Sequence, residues 1–144
     1  MPARISHVLL VIVGSLFLMI GLLVWSLWLT YHGQASRLTD VLNVLGYGGI
    51  PFLVGALVSW QWRDIPRGIA TTVWIGLMGA FWANVWGLSI GQSTEDDLGT
   101  VFVEIGVVFT IPYLLLGGLA GLCGFGVARL LGSSTGQNKA DVPE

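Results

Sequence analysis

The sequence predicts an all-α integral membrane four-helix bundle, and three observations carry that prediction. Four apolar stretches are each long enough to cross a bilayer as a helix, which takes about 20 residues. Charged residues make up only 10% of the 144-residue chain, against 54% apolar, whereas a water-soluble domain carries roughly 25% charged residues. Lys and Arg also gather at alternate ends of the stretches, the bias that orients multi-pass membrane proteins. Mean hydropathy is +0.81, and the length leaves room for one domain.

The first stretch covers residues 7–31 and has no charge inside it. Gly33-Gln34-Ala35 has the small-x-small form of a signal cleavage site. The apolar run before it exceeds the roughly 7–15 residues of a secretory signal, so an uncleaved helix is expected. The second and third stretches cover 41–60 and 68–90. The fourth, 101–131, is longer than a straight crossing needs; Pro112 and its many glycines predict a tilt, a kink or a cytoplasmic extension. Residues 132–144 are polar and are expected to form a disordered cytoplasmic tail, leaving 1–131 as the membrane domain.

Of the six Lys and Arg residues, only Arg37 falls on one side; Arg4, Arg63, Arg67, Arg129 and Lys139 fall on the other. The positive-inside bias makes that second side cytoplasmic. The expectation is a multi-pass protein of the cell (inner) membrane with both termini cytoplasmic. The acidic run Thr94-Glu95-Asp96-Asp97 then lies outside. Trp25 and Trp28, Trp60 and Trp62, and Trp86 sit near stretch ends, where indole rings prefer the headgroup zone.

In lipid, helices associate through close backbone approach and hydrogen bonds rather than hydrophobic drive. The third stretch carries two rows of small or short polar residues at four-residue spacing: Gly68, Thr72, Gly76, Ala80, Asn84, and Gly79, Ala83, Gly87, Gly91. At 100° per residue they merge into one packing face. Trp74, Met78, Phe81, Trp82 and Trp86 fall opposite, as a face for lipid or a partner protein. Gly117, Gly118, Gly121, Gly124 and Gly126 leave the inner half of the fourth helix nearly bare.

Pro51 and Pro112 lie mid-helix, where each removes a hydrogen bond to the carbonyl four residues earlier, those of Tyr47 and Val108. A 58-residue shift sets Gly21 on Gly79 and Trp28 on Trp86, and Ile50-Pro51-Phe52-Leu53 is similar to Ile111-Pro112-Tyr113-Leu114. These matches suggest two parallel helical-hairpin repeats.

Little in the sequence points to chemistry. Gly46-Tyr47-Gly48 resembles the centre of a potassium filter. No threonine precedes it, however, and residues 49–62 would reach only about 21 Å to recross the bilayer. His7 and His32 bracket a helix about 37 Å long and cannot share a metal. Cys123 stands alone in an apolar stretch, as a small packing residue. No phosphate loop, nucleophile elbow or zinc spacing occurs, so no catalytic residue, cofactor or metal is expected. A net charge of −2 argues against nucleic acid.

The polar candidates are Asn43, Asn84 and Glu104, near the outer side. An intramembrane amide ordinarily bonds a neighbouring helix. A carboxylate there is a functional suspect, although one in a first helical turn is also held by the helix dipole. The favoured expectation is a non-catalytic accessory or interaction subunit of a membrane complex, in contact with lipid and with another membrane protein or its own copies. The alternative is a small transporter or channel for a cation or small solute, acting as an oligomer. Small four-helix transporters carry a charged residue in their first helix; this first helix has no Asp or Glu.

Overall fold

Apolar segments in lipid must satisfy every backbone N–H and C=O internally, and an unbroken helix does so. The computed structural model describes residues 2–34, 36–91 and 98–137, and almost all of them are helical, with no strand among the described residues. Four helices follow in order: α1 (Pro2–Tyr31), α2 (Arg37–Trp62), α3 (Ile65–Gly91) and α4 (Leu98–Gln137). Each contains a segment long and apolar enough to span a membrane. The chain therefore has the architecture of a membrane protein with four crossing helices.

The boundaries follow local chemistry. Pro2 and Pro66 sit in the first turns of α1 and α3, where a missing N–H costs nothing. At the start of α2 the backbone N–H of Ser36 donates to the Thr39 hydroxyl at 3.5 Å. Arg63 closes α2 in the left-handed region (φ 53°, ψ 38°), and the Asp64 N–H donates back to the Ser59 carbonyl at 3.3 Å. A tight corner results, and α3 starts at once. α4 runs on as helix from Gly132 to Gln137, through the first part of the stretch expected to be disordered. An α-helix needs no apolar face to continue once its ladder is established. Residues 138–144, the remainder of that stretch, lie outside the described residues, as does the acidic run at 94–97.

Helices α2 and α3 form the centre. α4 packs along both, and α1 packs along both on the opposite side. Serial contacts show antiparallel neighbours: Ile65 and Ile69 of α3 meet Gly121 and Gly117 of α4, and Gly76 meets Tyr113. The larger core joins Met19 and Leu23 of α1 to Val54 and Val58 of α2 and Ile75 and Ala83 of α3. A smaller one joins Ala80 of α3 to Ile105 of α4. The outer surface is apolar: Leu10 and Phe17 of α1, Leu53 of α2, and Val107 and Leu130 of α4 are 65–73% exposed. Such a surface suits hydrocarbon and not water.

Positions paired by the suggested repeat stand in unlike surroundings. Gly21 faces open space while Gly79 is buried against Met19. Pro51 is buried and follows a widened turn, whereas Pro112 is exposed inside unbroken α-helix.

Candidate functional site

Among the described residues, the departure from α-helical geometry inside a span lies in α2. Residues Val44–Gly49 form a π-helical turn between the α-helical segments Arg37–Asn43 and Ile50–Trp62. Its cause is in the sequence. Pro51 has no N–H for the Tyr47 carbonyl, and its ring crowds that carbonyl in α geometry. Shifting to wider bonds, with Ile50 N–H donating to the Leu45 carbonyl, takes up the misfit upstream. Gly46, Gly48 and Gly49 carry no side chain to obstruct the wide turn. Gly46 also lets α1 approach, since a Cβ there would lie 2.8 Å from Leu23 Cγ.

The widened turn presents Tyr47 to α3 and α4. Its hydroxyl lies near the Asn84 side chain of α3. Its ring stacks on Phe109 of α4, with centroids 5.3 Å apart and planes 16° from parallel. Phe109 stacks in turn on Tyr113 at 5.9 Å and 28°. Tyr113 is 2% exposed and fits against Gly76, where a Cβ would stand 2.5 Å from its ring carbons. The Tyr113 hydroxyl is buried without a hydrogen-bond partner among the described residues. An aromatic ladder thus joins α2 to α4 against α3, with the Asn84 amide near one end and the buried Tyr113 hydroxyl at the other. Tyr47 and Tyr113 were not singled out as site residues in the sequence. The signal for Tyr47 was its position four residues before a mid-helix proline.

The three polar candidates have separate surroundings. Asn84 is half-buried, and its amide donates to the Ala80 carbonyl at 2.8 Å, within its own helix. Asn43 accepts a 2.6 Å bond from the Ser26 hydroxyl, tying α2 to α1. Glu104 is exposed on the outer face of α4, beside the exposed Phe102 and Val103. Among the described residues no cluster of His, Cys and carboxylates is placed to hold a metal ion. Cys123, expected as a small packing residue, is exposed on the surface of α4.

The small residues of α3 are divided between two neighbours. Gly79 meets Met19 of α1 and Gly76 meets Tyr113 of α4, while Ala80 and Ala83 are wholly buried between them. Gly87 lies in the last part of α3, and its surroundings are outside the described residues. At the other end of the bundle α2, α3 and α4 touch through backbone. A Cβ on Gly68 would stand 2.8 Å from the Gly55 carbonyl oxygen, and one on Gly117 would stand 3.1 Å from Ile69 Cα. A Cβ on Gly121 would stand 3.1 Å from the Ile65 carbonyl oxygen. Ser59, fully buried, donates to the Gly121 carbonyl at 2.8 Å. Its place near the α2 terminus gave no sequence signal.

On the opposite face of α3, Trp74, Trp82 and Trp86 are 50%, 45% and 57% exposed and Met78 is half-buried. Phe81 departs from this group. It turns inward, edge-on to Phe102 of α4 at 5.5 Å, because α4 wraps that side of α3. Trp74 and Met78 line an apolar groove of about 550 Å³ with Pro66, Ile69, Ala70, Val73, Leu77 and, from α4, Leu114. The bundle therefore offers a polar–aromatic interior node, tightly enclosed, and an open apolar groove. No family model matches the chain, and no curated protein or solved structure does.

Proposed function

We propose that this chain is a non-catalytic interaction subunit of a membrane complex, resident in the cell membrane with both termini cytoplasmic, and that the α3–α4 groove receives a transmembrane helix of its partner. The groove carries this reading. It runs along more than two turns of α3, from Pro66 to Met78. Its walls combine an indole, a thioether and branched aliphatic side chains, the residue types that supply adaptable contact area at interfaces. Ala70, one turn before Trp74, leaves room for a second backbone to come close. The interior supports the same reading, since glycine contacts close it at one end and the aromatic ladder fills it at the other.

The test is extraction of the tagged chain from its native membrane in mild detergent, with the ratio of each companion measured. A companion at fixed ratio, lost on Trp74→Ala with Met78→Ala and kept on the α1 variant Phe17→Ala, supports the reading. Recovery of the chain alone at every detergent mildness overturns it.

One observation favours a second function, a small transporter or channel acting as an oligomer. π-helical turns are rare and cluster at functional sites, and this one holds Tyr47 against Asn84. Cation or solute flux in reconstituted vesicles, abolished by Asn84→Leu, would establish it.

A further inference from the structure

A second cavity lies where α2 and the apolar part of α4 both stop. Its volume is about 320 Å³, and its walls are Arg63, Phe125, Ala128, Arg129 and Gly132. The membrane-spanning segments end at Trp62 and Gly132, so the cavity sits at the level where hydrocarbon gives way to headgroups. Exposed Trp60 and Trp62 mark the same level.

We infer that this cavity is a binding site for the phosphate of an anionic membrane lipid. Two guanidinium groups face one space. Arg63 arrives there because it closes α2 in the left-handed conformation. It lies along α4 because residue 132 is glycine: a Cβ there would be 3.3 Å from the Arg63 guanidinium Nη2. Arg129 is oriented by its own helix, its guanidinium carbon 5.2 Å above the centre of the Phe125 ring. The carboxylate nearest in sequence, Asp64, is engaged at 3.0 Å by Arg67, which does not line the cavity. Two planar forks with no hydrogen-bond partner among the described residues match a phosphate, which guanidinium binds through paired hydrogen bonds. Phe125 and Ala128 supply an apolar floor below the charges, as a glycerol backbone and the first acyl carbons need. Basic pockets between helix ends at the membrane surface are suited to anionic headgroups on these grounds. A soluble phosphate shares the charge but gains nothing from the apolar floor or from the position at the bilayer edge.

The site is tested on the full chain in mild detergent by native mass spectrometry. The probes are phosphatidylglycerol, phosphatidylcholine with the same acyl chains, and inorganic phosphate. Phosphatidylglycerol is expected to bind in preference to the other two. Arg63→Asn or Arg129→Gln should each weaken it about 5-fold, and the pair together about 25-fold, from the attraction typical of one basic residue near an anionic surface. Asp64→Asn together with Arg67→Gln, which removes the neighbouring ion pair outside the cavity, should leave it unchanged. Gly132→Leu keeps both arginines and fills the space, and should weaken binding as the double variant does. It decides the matter if the double variant does not fold. Equal binding of the two lipids, or unchanged phosphatidylglycerol binding in folded Gly132→Leu, would overturn the site. Inorganic phosphate that displaces phosphatidylglycerol at comparable concentration would overturn the lipid assignment and give the cavity to a soluble anion.

Discussion

Replacing Gly124 by alanine tests how the bundle is held together. A Cβ at this position would enter the Ala56 carbonyl oxygen and stand 2.9 Å from both the Ala56 carbonyl carbon and the Trp60 nitrogen. All three are backbone atoms of α2, so no side chain can swing aside. Ordinary contact begins at 3.4 Å, and α4 must therefore retreat from α2 by at least about 0.5 Å, more at the carbonyl oxygen. A gap of 0.5–1 Å forfeits roughly a quarter to a half of each lost contact's attraction. The same retreat stretches the nearby Ser59–Gly121 bond from 2.8 Å towards the limit of about 3.5 Å. Overpacking of this kind costs about 1–3 kcal/mol, and the weakened interhelical bond adds about 0.6 kcal/mol. Alanine also favours a helix over glycine by roughly 1 kcal/mol, which masks part of the loss. The remedy is a matched variant. Gly126→Ala lies on the same helix with open space around the added atom, so the propensity gain is common to both. The difference between the two should be about 2–3 kcal/mol, with Gly124→Ala less stable. It can be read from equilibrium unfolding in mixed micelles, followed by tryptophan fluorescence. Agreement of the two variants within about 0.5 kcal/mol would refute backbone contact as what joins α2 to α4.

Other substitutions probe single contacts. Tyr113→Phe deletes a buried hydroxyl that has no described partner and should raise stability by about 1 kcal/mol or more; a lower unfolding midpoint would mean that the hydroxyl is bonded. Gly79→Ala should cost less than Gly124→Ala, because the added methyl meets the flexible end of Met19 rather than backbone, and an equal or larger loss in the same titration would contradict this. Glu104→Gln changes an exposed side chain and should leave the unfolding midpoint within about 0.5 kcal/mol of the parent; a larger fall would place the carboxylate in a contact.

The four helices were legible because hydropathy alone separates segments that must hide their backbone from lipid. The helix ends were less so, since caps and corners carry no hydropathy signal: α2 starts at Arg37 and α4 continues to Gln137. Four-residue spacing on α3 was visible as a stripe of small residues. Which neighbour each one meets depends on the positions of α1 and α4, which no local pattern encodes. Phe81 shows the same limit, since its inward turn answers to Phe102, far along the chain. Pro51 announced a disturbance in α2. Its form, a π turn upstream that delivers Tyr47 to Asn84 and Phe109, rests on glycines whose effect depends on the neighbours they admit. The Arg63–Arg129 cavity was hidden for another reason. Its two charges lie 66 positions apart by subtraction of their residue numbers, and only the corner at Arg63 brings them to one space.

Cross-linking in the native membrane distinguishes an α3–α4 groove that holds a partner helix from one that holds lipid. A photoactivatable side chain would be placed at Trp74 and at Met78 in the groove, and at Leu10 and Phe17 on the exposed face of α1. One discrete protein adduct of a single mass is expected from the groove positions, and only lipid adducts from α1. Lipid adducts alone from all four positions, or the same mixture of proteins from both faces, would contradict a partner helix in the groove.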